Sequence, residues 1–292
     1  MTANSPSLVL DQRAQGPGFL RRLLGNISGA FGLLLVCIFL LVALLGAAGI
    51  TPFPPDKQTP IDRLKPPDAP YLMGTDLFGR DVASRVMSGA ANSLRVALVS
   101  VALSTLVGTA LGVTAGFVGG WVDNTIMRVM DVFFAFPALL LALVVVTVLG
   151  PGLNNATLAI AIVYTPIFAR VARGPVLSVK EMEFVLAARC LGKRPLGVLL
   201  MHVLPNTLAP LIVQVSLALS WALLTEAALS FLGLGTQPPA ASWGVMLSES
   251  RGIAERAPWL MISPGIAIML GVLGFNLLGD GLRDVLDPRM RR

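Results

Sequence analysis

The chain is 292 residues long, 55% hydrophobic and 13% charged, with 22 Lys+Arg against 16 Asp+Glu. A mean hydropathy of +0.78 excludes ordinary soluble-globular usage and makes a lipid bilayer the solvent to reason with. The net charge of +6 comes without an aromatic-interleaved basic patch, which argues against nucleic acid and for orienting charge in membrane loops.

A helix crossing about 30 Å of hydrocarbon needs roughly 20 predominantly apolar residues. Six segments approach or exceed this: Phe31 to Ile50, Ser93 to Gly116, Asp123 to Leu149, Thr157 to Ala172, Leu208 to Leu232 and Trp259 to Leu278. The expectation is an all-α integral membrane protein of six spans. Arg21 and Arg22 ahead of the first run, with Gly46-Ala47-Ala48-Gly49 at its close, imitate a cleaved signal. That run is longer than the roughly 7–15 apolar residues of a signal core. It is therefore expected to remain as the first membrane helix, 28–50, behind a cytoplasmic tail, 1–27. With this orientation 14 of the Lys and Arg residues fall inside and 8 outside, in keeping with positive-inside, and the tail 283–292 is cytoplasmic as well.

The outer loop, 51–92, opens Pro-rich and then places Leu77, Val82, Val86 and Met87 on one helical face, which predicts an amphipathic helix lying on the membrane surface. The five-span core follows, 93–282. Its first span carries Ser104, Gly108, Gly112 and Gly116 at four-residue spacing, a stripe along which helix backbones approach closely in lipid. The stripe serves either packing within this chain or contact with a second membrane subunit.

Between the fourth and fifth spans, the cytoplasmic loop 178–204 contains a short helix with clear punctuation. Glu181 and Glu183 sit in its first turn, where acidic groups favour the positive end of the dipole, and Gly192 and Pro195 stop it. Phe184, Ala187, Ala188 and Leu191 fall at i, i+3, i+4 and i+7, beside the basic Lys193 and Arg194. A small-residue face flanked by positive charge suits insertion into a groove on a soluble partner. A plain connecting helix is the alternative.

Ionisable groups within a span are functional candidates by default. Glu226 in the fifth span is the clearest and, with Asn276 in the sixth, is a candidate for the solute path; a hydrogen-bonded structural role is the competing reading for Glu226. Arg128, Asp131 and Asp280 lie close enough to an interface to be solvated. Pro137, Pro166, Pro210 and Pro264 are expected to kink their spans. The lone His202 and the separate Cys37 and Cys190 supply neither a metal site nor a disulfide framework, and paired catalytic groups are not found. Gly192-Lys193 is followed by Arg194, so the chain lacks a phosphate-cradling Gly-x-x-x-x-Gly-Lys-Ser/Thr loop.

The stretch Glu183 to Asn206, with Ala187-Ala188, Gly192 and Leu204-Pro205-Asn206, resembles the Glu-Ala-Ala loop of inner-membrane permeases of binding-protein-dependent ABC importers. Leu186 stands where that motif has its glutamate; Glu183, three residues earlier, substitutes in part. Gly74-Thr75-Asp76, Gly79-Arg80-Asp81-Val82, Gln237-Pro238-Pro239, Ser242-Trp243-Gly244 and the tail from Phe275 to Arg289 resemble the dipeptide, oligopeptide and nickel branch, specifically its second permease subunit.

The resemblance implies a type I ABC importer permease fold in the bacterial inner membrane. It implies a heterodimer with a second homologous permease, two cytoplasmic ATPase subunits that carry the ATP and Mg sites, and an extracytoplasmic solute-binding protein. The expected cargo is a di- or oligopeptide, with nickel or another small solute as the alternative. The expected mechanism is alternating access driven by the ATPases, and no cofactor is expected on this chain. A self-sufficient carrier built on Glu226 and a membrane-embedded enzyme are the readings from other classes; both leave the Gly192-terminated helix without a purpose.

Overall fold

The computed structural model describes residues 19–286, so most of both expected tails, 1–18 and 287–292, lies outside the described residues. The described residues form helices and connecting segments with two isolated β-bridges. In chain order the helices are α1 (Phe19–Gly25), α2 (Ile27–Ala47), α3 (Val82–Val118), α4 (Gly120–Phe134), α5 (Ala138–Leu149), α6 (Leu153–Val179), α7 (Glu183–Cys190), α8 (Pro195–Val198), α9 (Leu208–Phe231), α10 (Trp243–Ser250) and α11 (Trp259–Leu286). Five stretches are long and apolar enough to cross a membrane: α2, α3, α6, the run 195–231 and α11.

The helix starts follow local chemistry. The Asn26 side chain accepts from Gly29 N and caps α2, and Asp81 accepts from Ser84 N at 2.8 Å and caps α3. Gly119 and Gly150, with φ of +72° and +91°, close α3 and α5 in a backbone region that favours glycine.

Two expectations are corrected. The surface helix expected over Asp76 to Met87 does not exist as a separate element. Residues 76–81 form a turn, and from Val82 onward the chain is the first part of one 37-residue helix, α3. Val82, Ser84, Arg85 and Val86 are buried because their face meets protein instead of lipid headgroups. The Trp243 indole of α10 donates to Val86 O at 3.0 Å, and Gly46 of α2 lies so close to Met87 that a Cβ there would collide with its carbonyl.

The third span, Asp123 to Leu149, is not one helix either. It breaks between Phe134 and Ala138, where α4 and α5 meet at 92°. Pro137 offers no backbone N–H and pushes Phe136 out of the helical region, which accounts for the break. The 12 residues of α5 alone extend about 18 Å, so a crossing here takes both arms of the bent α4–α5 pair, which then counts as the sixth span. The other prolines act differently. Pro166 and Pro264 lie inside the continuous helices α6 and α11, and Pro210 falls in the first turn of α9, where its missing donor has no intrahelical partner to lose.

The bundle is organised around α3, which runs parallel to α6, since Gly108, Gly112 and Gly116 meet Thr165, Ala169 and Arg173 in turn, and packs on α2, α9 and α11 as well. Ser104, Gly108, Gly112 and Gly116 are all buried, and the three glycines meet α6. A Cβ on Gly108 would stand 2.5 Å from the Thr165 carbonyl, and one on Gly112 would collide with that of Ala169. The small-residue stripe is thus filled by this chain's own α6.

Candidate functional site

One end of the bundle gathers the 51–81 segment, the turn at 150–152 and residues 232–258. The other end carries α7, α8 and the close of α11. At the first end the Gly74–Asp81 motif folds into a buried ionic cluster. The Arg80 guanidinium donates to Asp76 at 2.5 Å and to Glu249 of α10 at 2.9 Å. Arg85, only 1% exposed, meets the same Glu249 at 3.3 Å and lies 3.7 Å from Asp76. A cavity of about 20 Å³ beside these groups has room for a single water. The cluster ties the 51–81 segment and the start of α3 to α10, and sequence reasoning missed it. On the outer part of the same segment, Lys65 and then the Tyr71 hydroxyl hold the Asp62 carboxyl below the usual carboxylate range.

At the opposite end α6 closes at Val179, and the Lys180 ammonium donates to Gly116 O at 2.9 Å, pinning the ends of α3 and α6 together. Then comes α7. The stripe expected at Phe184, Ala187, Ala188 and Leu191 divides. Ala188 turns inward beside Val185, in the same apolar cluster as Val198 and Val203, while Phe184, Ala187 and Leu191 stay exposed. Leu186, in the place of the motif glutamate, is exposed too.

Gly192 has φ +76° and lets the chain reverse, with its own N–H bonded to Arg189 O and that of Lys193 to Ala188 O. Arg189 stacks over the Phe117 ring at 5.4 Å, and the Lys193 ammonium sits 3.0 Å from His202 Nε2. Together with Glu183 and Arg194, which are exposed, these groups surround an outward apolar patch with charge. Such a short, firmly seated helix with an apolar tip can act as a lever if something soluble grips it.

The candidates for the solute path fall apart. Glu226 is fully buried between α3 and α9, where its carboxylate accepts from Ser93 and Ser230, each at 2.7 Å. Ser230 Oγ in turn accepts from Thr236 N at 3.0 Å. Glu226 therefore holds two helices and a loop together and does not face open space. Asn276 is half-buried on α11. Charge at the α4–α6 contact is paired: Arg173 grips Asp123 with two bonds of 2.6 Å, and Arg170 meets Asp131 at 2.6 Å while stacking on Phe134. Among the described residues no group of three or more His, Cys, Asp or Glu is placed to hold a metal ion.

Comparison with known proteins gives a consistent result. The family model described as "binding-protein-dependent transport system inner membrane component" matches residues 108–292. The dipeptide transport system permease protein DppC of Alkalihalophilus pseudofirmus is 46% identical, covering 93% of this chain and 89% of that one. The di/tripeptide transport system permease protein DppC of Pseudomonas aeruginosa is 45% identical, covering 90% and 89%. In three dimensions the chain is similar to a chain of the MetNI methionine ABC transporter in an inward-facing form. That likeness has a TM-score of 0.58 at 19% identity, covers 69% of this chain and 96% of the other, and establishes a shared fold.

Proposed function

Since this chain belongs to the family of binding-protein-dependent transport system inner membrane components, we propose that it is one of two homologous permease subunits in an ATP-driven importer of di- and oligopeptides. The identity to permeases named for dipeptide and di/tripeptide transport, over about nine-tenths of each chain, is the observation that carries the cargo. The remaining subunits in this reading are a second permease, two cytoplasmic ATPases that bind ATP and Mg, and an external solute-binding protein. This chain hydrolyses nothing itself.

The α7 end lies in the cytoplasm and the 51–81 segment outside, an orientation supported by the basic residues around α7. The exposed face of Phe184, Ala187 and Leu191, edged by Glu183, Lys193 and Arg194, inserts into a groove on one ATPase. Because Val185 and Ala188 seat α7 on the body of the permease, movement of that groove is passed to α6 and α9. ATP-dependent closure of the ATPase pair then shifts the permease between inward- and outward-facing states by its differential hold on them.

Native mass spectrometry after co-expression with a second permease and the ATPase subunits is the direct test. A complex of two permeases and two ATPases is expected. A chain that purifies alone and moves solute in liposomes without ATP would overturn the reading. Within the complex, Ala187→Arg places a long charged side chain on the exposed face without touching the buried one. ATP-driven peptide uptake should fall at least about tenfold, with the permease fold retained, since an unpaired charge forced into an apolar contact costs more than about 1.4 kcal/mol.

A further inference from the structure

A groove of about 550 Å³ opens between α6, α9 and α11 towards the α7 end. Its apolar walls include Val171, Val213 and Leu217, and Gln214, Asp280 and Arg283 reach it as polar groups. Asp280 and Arg283 stand one turn apart on α11 with opposite charge, yet neither has a hydrogen-bond or ion-pair partner among the described residues. Gln214, on the facing wall from α9, is equally unpartnered, and Asn276 extends the polar face of α11 by one turn.

Asp280 and Arg283 are exposed in the last two turns of α11, so water meets both charges in the empty groove and a ligand of matching charge can displace it. Here an acceptor-only carboxylate, a donor-only guanidinium and an amide converge on one concave, mostly apolar space, the usual make-up of a small-molecule site. Residues three apart on a helix hold their Cβ atoms about 5–6 Å apart, and the arginine side chain adds reach. An extended dipeptide sets its ammonium and carboxylate about 7 Å apart.

We propose that this groove is a binding site for a zwitterionic dipeptide on the α7 side of the membrane. Asp280 receives the ammonium, Arg283 grips the carboxylate, and Gln214 bonds the central amide. The proposal rests on the peptide-importer reading and adds to it the residues that hold the cargo near its exit. A site open to water on one side and built from single charges binds weakly, which suits release.

The test uses the purified complex with its partner subunits, without binding protein, and equilibrium binding of radiolabelled alanyl-alanine and of its N-acetylated and C-amidated forms. Asp280→Asn should weaken binding of alanyl-alanine about tenfold and leave the N-acetylated form unchanged. Arg283→Gln should do the same for alanyl-alanine and leave the C-amidated form unchanged. The capped peptides serve as internal controls for folding. No saturable binding to the wild type, or equal losses for free and capped peptides, would overturn the site. ATP-driven uptake of alanyl-alanine into proteoliposomes by the wild-type complex, with its solute-binding protein added, tests the underlying reading separately. Uptake without cap-dependent binding removes only this site, whereas absence of any peptide uptake removes the importer assignment.

Discussion

Replacing Glu249 with alanine is expected to cause the largest loss of stability of any single change at the 51–81 end of the molecule. Arg80 and Arg85 are 4% and 1% exposed, and both direct a guanidinium nitrogen at the same Glu249 carboxylate oxygen. Without Glu249, two buried positive charges would share Asp76 and the half-exposed Asp56, which lies 3.6 Å from Arg85. Breaking a buried ion pair by removing one partner typically costs about 3–5 kcal/mol, a large part of the roughly 5–15 kcal/mol that holds a domain folded. The purified Glu249→Ala protein should therefore unfold at a distinctly lower temperature in detergent, and its folded yield should drop. Glu249→Gln, which keeps an acceptor but not the charge, should fall between it and the wild type. An unfolding temperature for the alanine variant equal to that of the wild type would show that the cluster adds nothing.

That cluster also marks where reading the sequence stopped. Asp76 and Arg80 are four residues apart and their pairing is local, but Glu249 joins Arg80 across 169 positions, a distance that no periodicity spans. Arg85 could have been suspected. It falls on the same helical stripe as Val82, Val86 and Gly89, and a charge in register with buried small and apolar residues asks for a buried partner. Assigning the stretch to a surface-lying helix hid that signal, because Leu77, Val82, Val86 and Met87 fit a lipid-facing stripe as well as a protein-facing one.

The spans were legible because composition and length alone define them, and the four-residue spacing of Ser104 to Gly116 marked a close helix contact before the partner helix, α6, was known. The break at Pro137 was visible as a proline, but not as a 92° turn. Pro166 and Pro264 look the same in sequence and leave their helices continuous, so the outcome depends on packing around the freed carbonyl. For α7, Gly192 and the acidic first turn located the helix, whereas the burial of Ala188 and exposure of Ala187 depend on where Val198 and Val203 stand. An eight-residue helix has too few turns for its own pattern to select the inward face.

The membrane-embedded charge is the place where structure decides between two readings that the sequence left open. A carboxylate lining a solute path would be expected to reach open space, but Glu226 is 1% exposed and saturated by hydroxyls from two helices. Glu226→Ala would leave the Ser93 and Ser230 hydroxyls without their acceptor and open a void at the α3–α9 contact. Lost hydrogen bonds of this kind cost about 1–3 kcal/mol and truncation of a large buried side chain about 2–5 kcal/mol, so the alanine variant should be recovered folded in much lower yield. Glu226→Gln retains an oxygen acceptor of the same size and should keep most of the folded protein. If the glutamine variant assembled normally with its partners yet took up no peptide, the carboxylate would have a role in transport beyond holding α3 to α9. If uptake followed folded yield in both variants, its work would be structural: fixing the ends of two membrane helices and the loop at Thr236 so that the lever at α7 has a rigid body to move.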